Sequence, residues 1–160
     1  MGYRRLFIIR KDLNLSPGKL SAMLMHCVEL YYINQIKDHG CFVEMNPNAI
    51  GFSIRHVDQE KSNYYRYTMY IPKDEYEQYI NDIYTKTVCE AKNKSHLLKV
   101  INIAAELGLK EGNDYGIIKD HCLTEIKPEE DDGTTIVGVW FRPIPDEVSH
   151  LLSKKYQLYH

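Results

Sequence analysis

Short apolar runs bounded by charge alternate along this chain with longer stretches of helical period. Residues 4–9, RRLFII, with Arg10 following, hold a short apolar run rich in β-branched residues and bounded by charge, the pattern of a strand buried on both faces. The next stretch, SPGKLSAMLMHCVELYYINQIK (16–37), switches to a helical period, with Ser16 as N-cap and Pro17 at the first helical position. Leu20, Leu24, Cys27 and Tyr31 recur at steps of three and four and predict the buried stripe of that helix. Lys19, Met23 and His26 recur at the same steps and predict a shared neighbouring surface.

Residues 38–63, with Gly40, Pro47, Gly51 and the charged run DQEKS, predict loop with one strand at IGFSIRHV (50–57). YYRYTMYI (64–71) predicts a strand, and PKDEYEQYINDIY (72–84) a helix opened by Pro72. KTVCEA (86–91) predicts a strand, NKSHLLKVINIAAELGL (93–109) a helix closing at Gly108, and DYGIIKD (114–120) another strand. TTIVGVWF (134–141) follows the acidic turn PEEDDG, and PIPDEVSHLLSKKY makes a last helix. Strands alternating with helices imply a sheet with helices on both faces. No repeat, low-complexity tract or linker interrupts the pattern.

Composition narrows the classes. With 160 residues, 44% of them hydrophobic, the chain can bury about two-thirds of its unfolded surface, so one domain over 1–160 is expected. The balance of 20 Lys and Arg against 22 Asp and Glu gives net charge -2, so a polyanion partner needs a local basic patch. Cys27, Cys41, Cys89 and Cys122 form no C-x-x-C pair, the N-terminal apolar run is short for a signal peptide or a membrane span, and Leu6 breaks the myristoylation pattern. A reducing cytoplasm is expected.

Motif chemistry is mostly excluded. PGKLS is no phosphate-binding P-loop, because Leu13 and Leu20 stand where that loop needs Gly and Ser or Thr. No G-x-G-x-x-G follows a strand, no His or Cys spacing matches a structural zinc site, and no G-x-S-x-G elbow exists. What remains is an edge. Asp120 falls where an apolar strand ends, Thr124 follows in a polar loop, and the helix carrying Lys19 starts after the first strand. In parallel strand order all three meet beyond the carboxyl ends of the strands, where open α/β sheets bind ligands. Plainer readings stand beside this one: Lys19 as a solvated first-turn residue, Asp120 as a turn former, Thr124 as a strand-edge residue and His26 as a packing residue.

Three blocks in order, RRLFIIRKDLNLSPGKLSAMLMH, NDYGIIKDHCLTEIKPEEDDGTT and FRPIPDEVSHLLSKKYQLY, resemble the class II peptidyl-tRNA hydrolases. The resemblance covers about residues 4–35 and 85–158 and leaves 38–84 as an inserted strand-helix segment. It implies a single three-layer α/β/α domain with a mixed, mostly parallel sheet, forming a homodimer. It also implies hydrolysis of the ester joining a peptidyl group to tRNA, with no metal, no cofactor and no membrane partner. The family's G-K falls on Gly18 and Lys19, its helix histidine on His26, its D-x-x-x-T block on Asp120 and Thr124, and a further threonine on Thr134 or Thr135. Lys19, His26, Asp120 and Thr124 are thus expected to be catalytic. The chain departs from the family at Met23, where glutamine is usual, at Met25, where a small residue is usual, and at Leu123, where arginine is usual.

A tRNA substrate also requires phosphate contacts. Arg4, Arg5, Arg10, Lys11, Lys92 and Lys94 are candidates, with Lys11, Lys94, Thr134 and Thr135 taken as substrate-binding residues. The tyrosines at 64, 65, 67, 70, 76, 79 and 84 offer faces for unpaired bases or, as the favoured expectation, packing surfaces within the fold.

Overall fold

A computed structural model describes residues 2–45 and 54–160. They divide into two compact units, one of residues 1–31 and 71–160 and the other of residues 32–70. The segment expected as an insertion, 38–84, therefore falls partly in each unit.

In the first unit the apolar run becomes β1 (Tyr3–Arg10), followed by α1 (Pro17–Asp38), whose last turns belong to the second unit. After residue 71 come a short helix α2 (Lys73–Glu75) running into a π-turn (Tyr76–Ile80), β5 (Lys86–Ala91), α3 (Lys94–Glu106), β6 (Tyr115–Asp120) and β7 (Thr135–Phe141). The chain closes with β8 (Ile144–Pro145), α4 (Asp146–Ser153) and β9 (Gln157–Leu158). The second unit contains β2 (Gly40–Met45), β3 (Ile54–His56) and β4 (Tyr64–Tyr67), antiparallel in the order β3-β2-β4. Of the strand expected at 50–57, residues 50–53 lie outside the described residues, as do Pro47 and Gly51.

The main sheet runs β6-β7-β1-β5-β9, with β8 beside the start of β1. It is mixed, as expected, but not mostly parallel. Only β1 and β5 pair in parallel, while β7 is antiparallel to both β1 and β6, and β9 to β5. The connections account for part of this: no helix lies between β6 and β7, which pair antiparallel, whereas β7 and β8, also joined without a helix, both lie antiparallel against β1 rather than against each other. Because β7 reverses between them, β1 and β6 still point the same way, so their carboxyl ends share one edge.

Alternation along β1 builds two packed faces. Leu6 and Ile8 join Leu97, Val100 and Ala104 of α3 and Leu152 of α4 in one apolar cluster. On the other face the Arg5 guanidinium donates to the Cys27 and Val28 carbonyls of α1 and lies over Phe7 and Tyr31, and Tyr31 packs against Trp140 with centroids 6.0 Å apart. The layers are therefore α1, sheet, and α3 with α4. Strands β1 and β7 approach so closely at Gly138 that a Cβ there would stand 2.8 Å from the Ile8 carbonyl oxygen.

Two expectations about burial change. The buried line of α1 is Met23, Cys27 and Tyr31, displaced from the predicted stripe toward the Lys19 side, so Met23 is core rather than surface. An unbranched thioether fills such an uneven gap under a helix. The tyrosines of 64–84 are mostly exposed, with Tyr79 alone buried, yet some pack as expected: Tyr65 edge-on against Phe42 and Tyr84 edge-on against Tyr79.

Candidate active site

The site begins with a helix cap. The Ser16 hydroxyl accepts the Lys19 backbone N–H at 3.2 Å, and Pro17 supplies a first residue that needs no amide partner. Ser16 donates its own proton to Glu125 Oε1 at 2.9 Å, tying the cap to the loop after β6. Lys19 stands one turn before Met23, at the head of the buried line, so its side chain runs along the sheet edge rather than into solvent.

That side chain meets Asp120. Lys19 Nζ lies 2.5 Å from Asp120 Oδ2, with the two side chains 16% and 6% exposed, and donates to Thr124 Oγ1 at 3.2 Å. The other carboxylate oxygen, Oδ1, accepts the Cys122 backbone N–H at 2.7 Å. Cys122 makes this bond from the left-handed region, at φ 57°, a conformation uncommon for a residue with a Cβ. A lysine at a helix N-terminus opposes the helix dipole, and the Asp120 carboxylate offsets that cost.

Donor counting gives the chemistry. An ammonium has three N–H groups, of which Asp120 and Thr124 take two, so one remains. Because Thr124 Oγ1 accepts from Lys19, its own proton is available to a ligand. The edge thus presents two convergent donors beside a carboxylate, an arrangement suited to an oxygen that gains negative charge.

The loop between β6 and β7 holds Thr124 through several tethers. The buried Arg10 guanidinium binds Asp12, Glu129 and the Ile136 carbonyl, and Lys94 pairs with Glu130. Thr135 Oγ1 donates to the Lys127 carbonyl at 2.7 Å, while Thr134 Oγ1 donates to Asp132. Burial opposes the Arg10 charge, but the bonds to Glu129 and Asp12 overcome it and raise the pKa; the same contact holds Glu129 below the usual carboxylate range. Among the described residues no buried side-chain nitrogen or oxygen lacks a partner.

Lys19, Asp120 and Thr124 therefore come together, and the remaining predicted residues do not join them by any hydrogen bond or ion pair among the described residues. His26 is exposed, two turns along α1, about 10 Å from Lys19 by helical rise. Lys11 bonds the His160 carbonyl, pairs with Glu90 and sits over the Tyr159 ring. Lys94, Thr134 and Thr135 anchor the loop. Of the phosphate candidates, Arg5 and Arg10 are buried in the fold, and Arg4 pairs with Asp146. An apolar cavity of about 320 Å³ beside α1, lined by Phe7, Leu24, Met25, Val28 and Val88 among others, contains none of the predicted residues.

Sequence reasoning missed Cys122 and the Ser16–Glu125 link. Neither leaves a signal in one sequence, since a positive φ at a cysteine and a serine that serves both cap and loop are tertiary outcomes. A family model described as Peptidyl-tRNA hydrolase PTH2 matches residues 3–159. No curated protein matches the chain.

Proposed function

The chain belongs to the PTH2 peptidyl-tRNA hydrolase family, and on that premise we propose that it hydrolyses the ester of peptidyl-tRNA or N-blocked aminoacyl-tRNA at the Lys19–Asp120–Thr124 edge. The observation that carries the reading is the convergence, at 2.5 Å and 3.2 Å, of Lys19 at the start of α1 with Asp120 at the end of β6 and Thr124 on the tethered loop. In this reading the substrate acyl oxygen sits between the free Lys19 N–H and the Thr124 hydroxyl. An ionised carboxylate has about four acceptor sites, so Asp120 retains capacity to orient a water molecule while holding Lys19 and Cys122. That water attacks the acyl carbon and gives up a proton toward Asp120. The carbon–oxygen ester bond then breaks, and the proton ends on the ribose oxygen, releasing a free acid and a free tRNA hydroxyl. Lys19 and Thr124 stabilise the oxyanion between the two steps; losing such a donor typically costs about 10²–10³ in rate.

His26 keeps a supporting role in this reading, as a proton relay that makes no direct bond to Lys19. We place the protein in the cytoplasm as a homodimer. No helix among the described residues is long and apolar enough to cross a membrane. One feature favours a second reading, a tRNA- or protein-binding relative without turnover: Leu123, 88% exposed beside the site, offers no donor where the family usually has arginine. Incubating N-acetyl-aminoacyl-tRNA with the parent and with Lys19→Ala separates the two. Release by the parent and its loss in the variant support the enzyme. Binding of tRNA with no release by the parent supports the second reading.

A further inference from the structure

Away from the Lys19 cluster, a depression of about 420 Å³ opens where β5 ends and α3 begins. Its lining is Lys92, Asn93, Ser95, His96, Lys99 and Lys155, with no carboxylate among them. The three lysines are exposed, and none makes an ion pair among the described residues. This contrasts with Lys11, Lys19, Lys94 and Lys119, each of which has an acidic partner. His96 fixes the floor. Its ring stacks on Tyr156 with centroids 4.6 Å apart, its Nδ1 accepts the Lys92 backbone N–H at 3.1 Å, and the Tyr156 hydroxyl donates to its carbonyl. Burial, then the nearby Lys99 and Lys92 charges, push the His96 pKa below its ordinary value, consistent with several cations facing one hollow.

The position matters as much as the charge. Lys92 follows β5, which runs parallel to β1, and β6 runs the same way, so Lys92 lies at the edge that carries Asp120. Three strand spacings separate the ends of β6 and β5, about 14 Å. A nucleic-acid backbone spans that distance within a few nucleotides, since even in B-DNA each strand carries one charge per about 3.4 Å of helix axis. With an overall charge of -2, the chain has little general attraction for RNA, and an unpaired lysine cluster supplies it locally.

We propose that Lys92, Lys99 and Lys155 form a phosphate-binding subsite for the acceptor-stem backbone of the tRNA whose acylated end lies at Lys19. This rests on the hydrolase reading for its substrate, but its test does not depend on turnover. Uncharged tRNA is titrated against the parent, a Lys92→Gln/Lys99→Gln/Lys155→Gln variant and the corresponding triple arginine variant, with salt varied between about 50 and 200 mM. Each lost phosphate contact lowers the slope of log K against log salt by about 0.7–0.9, so the glutamine variant should lose about 2–3 from the slope, weaken markedly at low salt, and be restored by arginine. Parental affinity and slope in the glutamine variant, or equal loss in the arginine variant, would overturn the subsite. A parent that binds tRNA through these lysines but releases no amino acid would keep the subsite and reject the hydrolase reading. Turnover that depends on Lys19, with a salt slope indifferent to the three lysines, would do the reverse.

Discussion

Replacing Asp120 by Asn leaves the shape of the site and removes the charge that Lys19 was folded against. At 2.5 Å and an effective dielectric near 20, the pair attracts by about 7 kcal/mol before desolvation of either ion is counted. Desolvation cancels much of this, whereas removing one partner leaves the other charged and poorly hydrated, which costs about 3–5 kcal/mol in a fully buried pair. Because the Lys19 side chain keeps 16% exposure, about 2–4 kcal/mol is expected for Asp120→Asn and a similar loss for Lys19→Met. The double variant removes both charges and should recover much of that loss, with a coupling of about 2 kcal/mol. Trp140, the single tryptophan and 1% exposed in β7, reports urea unfolding of the first unit by fluorescence. Additive single losses of less than about 0.5 kcal/mol each would refute the pairing, and unchanged hydrolysis in Asp120→Asn would refute its role at the site.

Thr124→Val removes both the acceptor for Lys19 and the free hydroxyl proton, so kcat should fall about 10²-fold, with Thr124→Ser restoring most of it in the same assay. Cys122→Gly relieves the left-handed backbone and keeps the amide that holds Asp120, so stability in urea unfolding should rise by about 1 kcal/mol with turnover retained. Burial pushes the Cys27 thiol up to about 12 and raises Cys89, so a thiol reagent at mildly alkaline pH should modify Cys41 and Cys122 quickly and the other two only on unfolding. Arg10 holds Glu129 below its ordinary value; its contribution is therefore present above the unfolded carboxylate pKa, about 4.3, and is lost as pH falls through the lower folded value. Glu129→Gln should accordingly flatten the acid limb of Trp140-monitored stability below about pH 4.3.

Much of the first unit was readable from periodicity. β5 falls on the predicted residues, β1, β6 and β7 lie within about one residue of theirs, and Ser16 and Pro17 start α1 through the expected cap. Strand direction was not readable, since an apolar run looks the same in a parallel or an antiparallel pair. The edge at Lys19 and Asp120 nonetheless assembled, because β7 inserts one reversal between β1 and β6 and leaves their ends together. Met23 was misplaced because a helical wheel fixes spacing but not which meridian faces the sheet. Arg5 and Arg10 resembled surface cations because the carbonyls and carboxylates that satisfy them lie far along the chain. Lys99 and Lys155 attracted no notice in sequence, being 56 residues apart by their numbers and joined only where α3 and the end of α4 border one depression.

The central claim is that water, placed at this edge, cleaves the acyl ester. A single-turnover reaction of N-acetyl-aminoacyl-tRNA in heavy-oxygen water, with the parent beside Lys19→Ala and Asp120→Asn, tests it most directly. Heavy oxygen is expected in the released carboxylate and none in the tRNA hydroxyl, with release slowed at least about 10²-fold in both variants. Release at the parental rate by either variant, or no release by a parent that binds the substrate, would contradict it.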